Sequence, residues 1–330
     1  MGRWFESSRA HQHVFIGITE QKMNTVPVVV SFNKKYTIPA LITILSVIRS
    51  SASPGRLEFF ALHNGLDRYI VLLCEKLVAS WGGIITFVDC RDDIEGVYNP
   101  NAGHHSSETF NTLLIPSIFS RYLRTLYLDV DLLVRDDVLT MVDELADDRK
   151  VGAVRCMYRN YTKYGDDYHG FRAYAHDVLK VRNPYDYFNS GVVVFNNRNI
   201  TTEDRHRCVD LIQKRWEHHD EGILNHVFQD HLHLFPAKWN MDVFFMDENA
   251  LHFTPPVSSD LLKADGEFSI VHFLGRYKPW LSSGPSVENR YMKEYGALWR
   301  DVKAAVEKMA AETLCGSMWR QMNRVDWQEA

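Results

Sequence analysis

The chain has 330 residues, a length within the range of one large α/β domain. Its formal net charge of −5 argues against a protein that holds a nucleic-acid backbone by bulk charge. A hydrophobic content of 45% with 24% charged residues is typical of a globular chain and excludes wholesale disorder. The 5 cysteines include no CxxC pair, which argues against a disulfide framework or zinc ribbon and favours a reducing, cytoplasmic compartment.

The two ends of the chain differ from its middle. Residues 1–22 have no apolar signal-peptide core and no small-residue cleavage site. We expect them to be a disordered extension or the product of a wrong start codon, with Met23 as the true first residue. Residues 286–330 are predicted to form a C-terminal helix and tail. The tail from Met318 to Trp327 mixes apolar and basic residues, which allows at most peripheral membrane contact, and a docked or disordered tail is the favoured interpretation.

Apolar strands alternate with helices from residue 26 onward. The predicted strands are Val26–Phe32, Leu57–Leu62 and Ile84–Val88, and the predicted helices are Thr37–Arg49, with Thr37 as the N-cap, and Leu66–Trp81. This alternation indicates βαβ units around a parallel sheet. It predicts a single α/β domain over 23–285.

The later predicted elements continue the same pattern. In chain order they are a helix over Asn111–Leu123, an apolar run over Thr125–Leu133, strands over Val151–Cys156 and Tyr187–Phe195, helices over Thr201–Trp216 and Glu221–Phe228, a strand over Ser269–Phe273, and a long helix over Val287–Met309. We find no internal repeat and no Gly/Ser-rich linker, so a mostly parallel central sheet flanked by helices is expected.

Two aspartates follow an apolar run in the segment YLDVDL. If Asp129 and Asp131 lie on a strand, the spacing i, i+2 projects both carboxylates to the same side. Two like charges at that position repel each other unless a cation is present, and oxygen ligands suit Mg²⁺ or Mn²⁺. The alternative is a solvated turn after the strand.

A second segment, IVHFLGRYKPW, offers groups that complement this pair. His272 adds an imidazole, and a set of two carboxylates and one imidazole favours Mn²⁺ over Mg²⁺. Gly275 allows close approach of the backbone, and Lys278 offers an ammonium to a diphosphate. A core histidine beside a surface lysine is the alternative.

Two further segments place polar groups beside apolar elements. In FNSGVVVF, Asn189 and Ser190 precede a continuously apolar strand, where amide and hydroxyl groups can recognise sugar hydroxyls, and a turn is the alternative. In DEGILN, Asp220 and Glu221 stand at a helix start, where Asp220 is alternatively a helix N-cap.

Together, these four segments resemble glycosyltransferase family 8, whose members include glycogenin and bacterial lipopolysaccharide galactosyl- and glucosyltransferases. The likeness covers roughly Pro27 to Trp280, in the family's order: an N-terminal nucleotide strand, YLDxD, FNSGV, a D-[QE]-x-x-L-N element and HFxGxxKPW. The resemblance implies a single-domain, Rossmann-like glycosyltransferase A fold and a retaining transfer from a UDP-sugar.

The resemblance also implies roles for particular residues. Mn²⁺, with Mg²⁺ as the alternative, is expected on Asp129, Asp131 and His272. The expected catalytic residues are Glu221, Asp220 and Asn189. The donor-binding residues are expected to be Ser31, Asn33, Tyr36, Val130, Ser190, Gly275 and Lys278, with the first strand end holding the uridine and Lys278 and the Gly275 backbone contacting the diphosphate.

The sequence departs from the family pattern at several positions, two of which bear on catalysis and donor binding. Glu221 stands where Gln is common, and because a carboxylate is a better nucleophile than an amide, Glu221 is a candidate for covalent or oxocarbenium-stabilising catalysis. Thr112 stands where relatives usually carry Arg or Lys. The donor-binding cation of the family is therefore missing, unless Arg121, Arg124 or Arg276 substitutes for it.

The sequence thus predicts a Mn²⁺-dependent retaining hexosyltransferase, moving galactose or glucose from UDP to a saccharide or glycolipid acceptor. A sugar-nucleotide hydrolase or nucleotidyltransferase with the same metal site is one alternative. The other is a non-catalytic UDP-sugar-binding protein, which the substitution by Thr112 suggests. No nucleic-acid partner is expected.

Overall fold

A computed structural model describes residues 24–94, 107–165, 167, 170–214, 216–246, 248–264, 266–275, 278–281 and 290–313. Its strands are β1 Val26–Ser31, β2 Leu57–His63, β3 Ile85–Asp89, β4 Arg124–Leu128, β5 Leu132–Val134, β6 Val151–Arg155, β7 Phe188–Asn196, β8 Leu232–Phe235, β9 Met241–Asp242 and β10 Ile270–His272. Its α-helices are α1 Thr37–Ser50, α2 Arg68–Ser80, α3 Arg91–Ile94, α4 Ile115–Ile118, α5 Val138–Glu144, α6 Phe171–Asp177, α7 Thr202–Asp210, α8 His219–Phe228, α9 Pro255–Ala264 and α10 Arg290–Thr313.

The central sheet of the described chain has seven strands in the order β3-β2-β1-β4-β7-β6-β8. The first four strands run parallel, whereas β7 is antiparallel to both of its neighbours. The strand order changes direction between β1 and β4, because the crossover through α1 leads to β2 on the other side of β1. Ligands bind open α/β sheets at such a switch point, outside the carboxyl ends of the strands. Ser31 and Asp129 mark those two ends here.

Apolar composition explains the parallel half of the sheet. The valines of β1 are fully buried between helices on both faces, as continuous apolar runs in parallel sheets require. In α1, eleven successive residues from Thr37 to Val47 are buried, so this helix lies inside the domain rather than on its surface. At roughly 2 kcal/mol for each large apolar side chain buried, the strands and α1 account for much of the hydrophobic stabilisation.

A second, three-stranded sheet in the order β5-β10-β9 brings distant parts of the chain together. In β10, His272 pairs with Leu132 on one side and with Asp242 on the other. The Phe273 N–H donates to the Asp131 carbonyl over 3.0 Å, which continues this ladder by one step. This small sheet is the reason that His272 meets Asp131 across 141 positions of sequence.

Several local predictions were wrong in their details. Residues 107–114 form 3₁₀ turns, followed by the short α4, instead of one α-helix over Asn111–Leu123. Tyr36, not Thr37, occupies the N-cap of α1, and the Thr37 hydroxyl donates to the Lys34 carbonyl over 2.8 Å. Strand β4 ends at Leu128, so Asp129 and Asp131 lie in a bend between β4 and β5 rather than on a strand. Strand alternation is therefore not what makes their carboxylates converge.

The long C-terminal helix is packed into the domain. In α10, Trp299 and Val306 are fully buried, and the Trp81 indole N–H contacts Met309 Sδ at 3.1 Å. No helix among the described residues combines the length and apolarity needed to cross a bilayer. The predictions for 1–22 and for the tail from Met318 to Trp327 fall outside the described residues.

Candidate active site

A cavity of about 430 Å³ opens at the switch point between β1 and β4. Ten residues singled out from the sequence line it: Ser31, Asn33, Tyr36, Asp129, Val130, Asp131, Asn189, Ser190, Asp220 and Glu221. His272, Gly275 and Lys278 are not among the lining residues. His272 is fully buried behind the two aspartates, and it contacts them directly.

Three potential metal ligands converge on one wall of the cavity. Ligand atoms of Asp129, Asp131 and His272 lie within 4.8 Å of one another. His272 Nε2 is 3.0 Å from Asp131 Oδ1 and 3.6 Å from Asp129 Oδ2. This arrangement of two carboxylates and one imidazole can hold a divalent cation such as Mn²⁺ or Mg²⁺.

Small neighbouring groups make room for this cluster. A Cβ atom at Gly191 would lie closer than 3.0 Å to both His272 Cε1 and Asp129 Oδ2, so only glycine fits at this position. From α1, the buried Thr43 hydroxyl lies 3.1 Å from the Val130 carbonyl and 3.0 Å from the Leu132 carbonyl, which fixes the bend that carries the aspartates. The Tyr127 hydroxyl donates to Asp129 Oδ1 over 2.8 Å.

The charges in this cluster perturb one another. Burial and the charge of Asp131 raise the pKa of Asp129. Burial also acts to raise the pKa of Asp131, but the Lys278 ammonium and the His272 imidazole outweigh it and hold that pKa well below its ordinary value. Asp131 therefore stays ionised at any physiological pH.

Lys278 neutralises part of this acidic wall. Its ammonium contacts Asp131 Oδ2 and donates to the Phe273 carbonyl over 2.6 Å. Gly275 adopts φ +72°, a left-handed conformation that glycine takes without strain. A phosphate group near Asp131 is thus within reach of a cation.

The cavity is also lined by a second pair of carboxylates, which lie at the start of α8. Glu221 Oε2 accepts hydrogen bonds from Asn189 Nδ2 over 2.9 Å and from the Ser190 N–H over 3.4 Å. Asp220 is not the N-cap of α8, because His218 occupies that position, so the capping interpretation is wrong. Instead, Asp220 Oδ2 accepts a hydrogen bond from the Thr112 hydroxyl over 3.0 Å.

Both carboxylates of this pair have raised pKa values. Burial, followed by the charges of Asp129 and Glu221, raises the pKa of Asp220 to about 7. Burial also raises the pKa of Glu221, and the guanidinium of Arg159 opposes that shift. Raised carboxyl pKa values in a cavity are typical of functional sites.

The end of β1 forms the third side of the cavity. The Ser31 hydroxyl donates to the Glu108 carbonyl over 2.9 Å and accepts from Asn111 Nδ2 over 3.1 Å, so local structure already engages it. Asn33 Oδ1 accepts from the Lys35 N–H over 3.0 Å, and the ring of Tyr36 meets Trp280 edge to face at 6.1 Å. This side offers backbone groups and an aromatic ring to a ligand.

The cation expected near Thr112 is not supplied by Arg124 or Arg121. Arg124 donates to the carbonyls of Val142 and Leu145, away from the cavity, and Arg121 is not a lining residue. Arg276 lies outside the described residues. Arg159 lines the cavity instead.

Neither Arg159 nor Asn240 was indicated by the sequence pattern. The Arg159 guanidinium packs at 4.1 Å from the Phe171 ring and lies 3.1 Å from His218 Nε2. Asn240 Oδ1 lies 2.8 Å from His272 Nδ1. Neither residue stands in a motif, because each reaches the site through tertiary packing. Tyr127 was detectable, since it stands two residues before Asp129.

The sequence profile described as glycosyl transferase family 8 matches residues 27–284. Among curated proteins, the chain is 23% identical over 276 residues to probable galacturonosyltransferase-like 5 of Arabidopsis thaliana, covering 78% of this chain and 72% of that protein. It is 21% identical over 297 residues to the lipopolysaccharide 1,2-glucosyltransferase of Escherichia coli, covering 84% and 80%.

Two solved structures share the fold. An active-site variant of LgtC, with glutamate in place of a glutamine, matches with a TM-score of 0.68 and 20% identity, covering 90% of this chain and 100% of that chain. The apo structure of the bifunctional enzyme WbbM matches with a TM-score of 0.67 and 22% identity over 91% of this chain, which spans about half (52%) of WbbM. The chain has the glycosyltransferase A fold and belongs to glycosyl transferase family 8.

Proposed function

We propose that this protein is a retaining hexosyltransferase that moves galactose or glucose from a UDP-sugar to a saccharide or glycolipid acceptor, with Mn²⁺ as its metal. One observation carries the proposal. Asp129 and Asp131, which cluster with His272, line a single cavity at the switch point of the sheet together with Asp220 and Glu221. A nucleotide diphosphate on one wall then has its sugar directed at the other.

The metal cluster fits a divalent cation. Its atoms lie within 4.8 Å of one another, and the missing Cβ of Gly191 leaves the two ligands on either side undisturbed. The imidazole favours Mn²⁺ over Mg²⁺. When bound, such an ion supplies positive charge that stabilises the departing diphosphate.

The donor is proposed to lie along the three sides of the cavity. Ser31, Asn33 and Tyr36 hold the uridine, and the Tyr36 ring, packed against Trp280, is placed to stack on a base. The diphosphate lies beside Val130, with the Gly275 backbone and Lys278 in support. Asn189 and Ser190 face the transferred sugar.

The reaction breaks the bond between the anomeric carbon and the diphosphate oxygen, and the electron pair leaves with UDP. Positive charge develops on the sugar, and the carboxylate of Glu221 is held by Asn189 and Ser190 to stabilise it. Retention follows if Glu221 forms a covalent intermediate that the acceptor hydroxyl then displaces, or if the acceptor enters from the leaving-group face. In either case the acceptor proton passes to an oxygen of the departing diphosphate.

A panel of UDP-sugars tests the proposal. Release of free UDP is measured with Mn²⁺, with and without saccharide acceptors, for the wild type and for Asp131→Asn. We expect acceptor-dependent release with one UDP-hexose, loss of most activity in Asp131→Asn, and a product whose anomeric configuration by NMR matches that of the donor.

Other outcomes of this panel contradict the proposal. Equal UDP release with and without acceptor indicates a sugar-nucleotide hydrolase. Mn²⁺-dependent UDP binding by calorimetry without any sugar release identifies a non-catalytic binding protein. An inverted product excludes the retaining mechanism.

Glu221→Gln tests the role of the carboxylate. The amide preserves the shape of the side chain and can still face Asn189, but it cannot form a glycosyl ester. If Glu221 is the nucleophile, kcat falls by about 10²-fold or more, while UDP binding with Mn²⁺ is unchanged. Nearly full turnover excludes this role and leaves entry from the leaving-group face.

The catalytic unit is proposed to be 23–285, with 286–330 as its C-terminal helix and tail, in keeping with a family match over 27–284. A cytoplasmic location is proposed because Cys74, Cys90, Cys156 and Cys208 are free thiols. Liposome flotation of the full chain, and of a chain ending at 313, tests peripheral membrane contact.

A further inference from the structure

Asn240 connects the two walls of the cavity. It immediately precedes β9, and its side chain is buried, with only 4% of its surface exposed. Its Oδ1 lies 2.8 Å from His272 Nδ1, and its Nδ2 donates to Asn189 Oδ1 over 2.8 Å. A single amide thus contacts the potential metal ligand His272 through its oxygen and Asn189, which lines the cavity, through its nitrogen.

In this series of hydrogen-bonded side chains, the direction of each bond follows from the neighbouring groups. Asn189 Oδ1 accepts from the Gly191 N–H over 3.0 Å, and Asn189 Nδ2 donates to Glu221 Oε2, so the orientation of Asn189 is fixed. Asn240 must then present its N–H₂ to Asn189 and its oxygen to His272. Because an amide oxygen only accepts, His272 Nδ1 carries a proton.

This proton determines what the other ring nitrogen can do. With Nδ1 protonated and held by Asn240, Nε2 is the atom that faces Asp131 Oδ1 at 3.0 Å. A metal-binding histidine donates from one ring nitrogen to a fixed acceptor, and once Nε2 has released the proton that it shares with the Asp131 carboxylate, its lone pair can face the ion. The amide therefore orients the imidazole within the small sheet.

Asn240 thus begins two arms of hydrogen bonds, one to His272 and one through Asn189. The second arm ends at the proposed catalytic carboxylate of Glu221. From Asn240, the contacts run through Asn189 to Glu221 Oε2, with successive distances of 2.8 Å and 2.9 Å. Asn240 is buried, whereas Asn189 and Glu221 are partly buried and line the cavity, and each hydrogen bond in this path constrains the next side chain. A displacement of Asn240 changes the position of Glu221 through Asn189.

We propose that Asn240 is a positioning residue that serves both walls: it orients His272 for metal binding, and it fixes Glu221 through Asn189. The inference rests on the proposed function, since it assigns a divalent metal to His272 and a reactive role to Glu221.

Three variants separate the two arms. Asn240→Ala removes both hydrogen bonds. Asn240→Asp, at pH 8, keeps an acceptor for His272 Nδ1 but loses the donor to Asn189. Asn189→Ala keeps the contact between Asn240 and His272 but removes the arm to Glu221, together with the acceptor of the Gly191 N–H. The control is Asn197→Ala, because Asn197 is equally buried but donates to the Phe119 carbonyl and Thr125 Oγ1.

The first readout is the affinity for Mn²⁺ alone, measured by calorimetry or EPR without nucleotide. Asn240→Ala is expected to weaken it by about 10- to 100-fold. Asn240→Asp, Asn189→Ala and Asn197→Ala are expected to stay within about threefold of the wild type, because each keeps the acceptor at His272 or does not touch it. Since Asn240→Asp preserves the shape of the side chain, it provides a folded variant even if Asn240→Ala unfolds.

The second readout is kcat at saturating Mn²⁺ and donor. Asn240→Asp and Asn189→Ala are both expected to lower kcat, and the double variant is expected to be no slower than Asn189→Ala alone, since both act through the same arm. Multiplicative losses in the double variant, or a wild-type Mn²⁺ affinity in Asn240→Ala, overturn the inference. A wild type that binds no Mn²⁺ or transfers no sugar overturns the proposed function instead, so the two failures are distinguishable.

Discussion

Asp131 and Asp220, one from each pair of carboxylates that lines the cavity, are compensated in different ways. Asp131 has the Lys278 ammonium and the His272 imidazole in direct contact, and its pKa is lowered. Asp220 has only the Thr112 hydroxyl as a hydrogen-bonding side chain, and it makes no ion pair within 4.0 Å with any described residue. Burial accordingly raises its pKa to about 7.

This difference distinguishes two uses of buried charge. A buried carboxylate with cations in contact is a prepared ligand, since a metal or a diphosphate only exchanges with charges already there. A buried carboxylate without a cation destabilises the resting protein, and that cost is relieved when positive charge arrives. In the proposed reaction, the sugar supplies such charge at the moment when its bond to UDP breaks.

The sharpest test of this comparison is the stability of the metal-free protein. Removing the charge of Asp220 and removing the charge of Asp131 are expected to change the free energy of unfolding in opposite directions. The folded pKa of Asp220, about 7, lies above its ordinary value of 3.8, so ionising it costs folding free energy as pH rises. Asp220→Asn is therefore expected to increase the free energy of unfolding at pH 8 by roughly 4 kcal/mol, and by a smaller amount at pH 5.

The matched variant is Asp131→Asn. Because the folded pKa of Asp131 is lowered, its charge stabilises the fold above its ordinary pKa, and this stabilisation is lost as pH falls. The variant is expected to be less stable than the wild type at pH 8. Urea denaturation in the presence of a chelator measures the free energy of unfolding of both variants. Destabilisation by Asp220→Asn at pH 8 contradicts the comparison.

A second prediction concerns only the cluster of potential metal ligands. Gly191→Ala places a Cβ closer than 3.0 Å to His272 Cε1 and Asp129 Oδ2, so the ligands must separate. We expect turnover to fall by about 100-fold, with a parallel loss of Mn²⁺ affinity.

Gly152→Ala is its control. A Cβ at Gly152 clashes with the Phe235 ring, away from the cavity, so that variant loses stability but keeps its Mn²⁺ affinity. If both alanine variants lose Mn²⁺ equally, the effect at Gly191 is one of general packing.

The parallel half of the fold could be predicted from the sequence because its signals are local. The valines of β1 and the helical period of α1 specify the elements, and the spacing of these elements specifies their order. The residues of the candidate metal cluster could also be selected from the sequence, because YLDVD and the segment that contains His272 are contiguous motifs. The convergence of Asp129 and Asp131, however, was expected for the wrong reason, because a bend held by Thr43 produces it instead of a strand.

The parts that sequence did not predict depend on contacts between distant segments. The small sheet has strands of two and three residues, too short to show a hydrophobic period, yet it places Asn240 against His272. Arg159 reaches the cavity by packing on Phe171, a contact that no spacing indicates. The cation missing at Thr112 was detectable from the sequence, but the position of the arginine that lines the cavity was not.

A third prediction concerns that arginine. The guanidinium of Arg159 lowers the pKa of Glu221 against the larger effect of burial. Arg159→Met is expected to raise the pKa of Glu221, so the acidic limb of the kcat–pH profile moves to higher pH and the loss of activity grows as pH falls. Arg155→Met is the control, since Arg155 pairs with Asp186. An unchanged acidic limb in Arg159→Met refutes an electrostatic role.

The smallest expected effect comes from Thr112→Val, which removes the one side-chain hydrogen bond that favours ionised Asp220. The pKa of Asp220 should rise further, and the metal-free variant should lose about 1 kcal/mol of unfolding free energy at pH 8. At pH 5 the loss should be smaller, because Asp220 is then protonated and the Thr112 hydroxyl can bond instead to the Thr109 carbonyl, 3.0 Å away. The same substitution in an Asp220→Asn background should cost less at pH 8, since no charge is left to stabilise. An equal cost in both backgrounds would show that Thr112 acts by packing alone, and that Asp220 is not the uncompensated charge of the resting site.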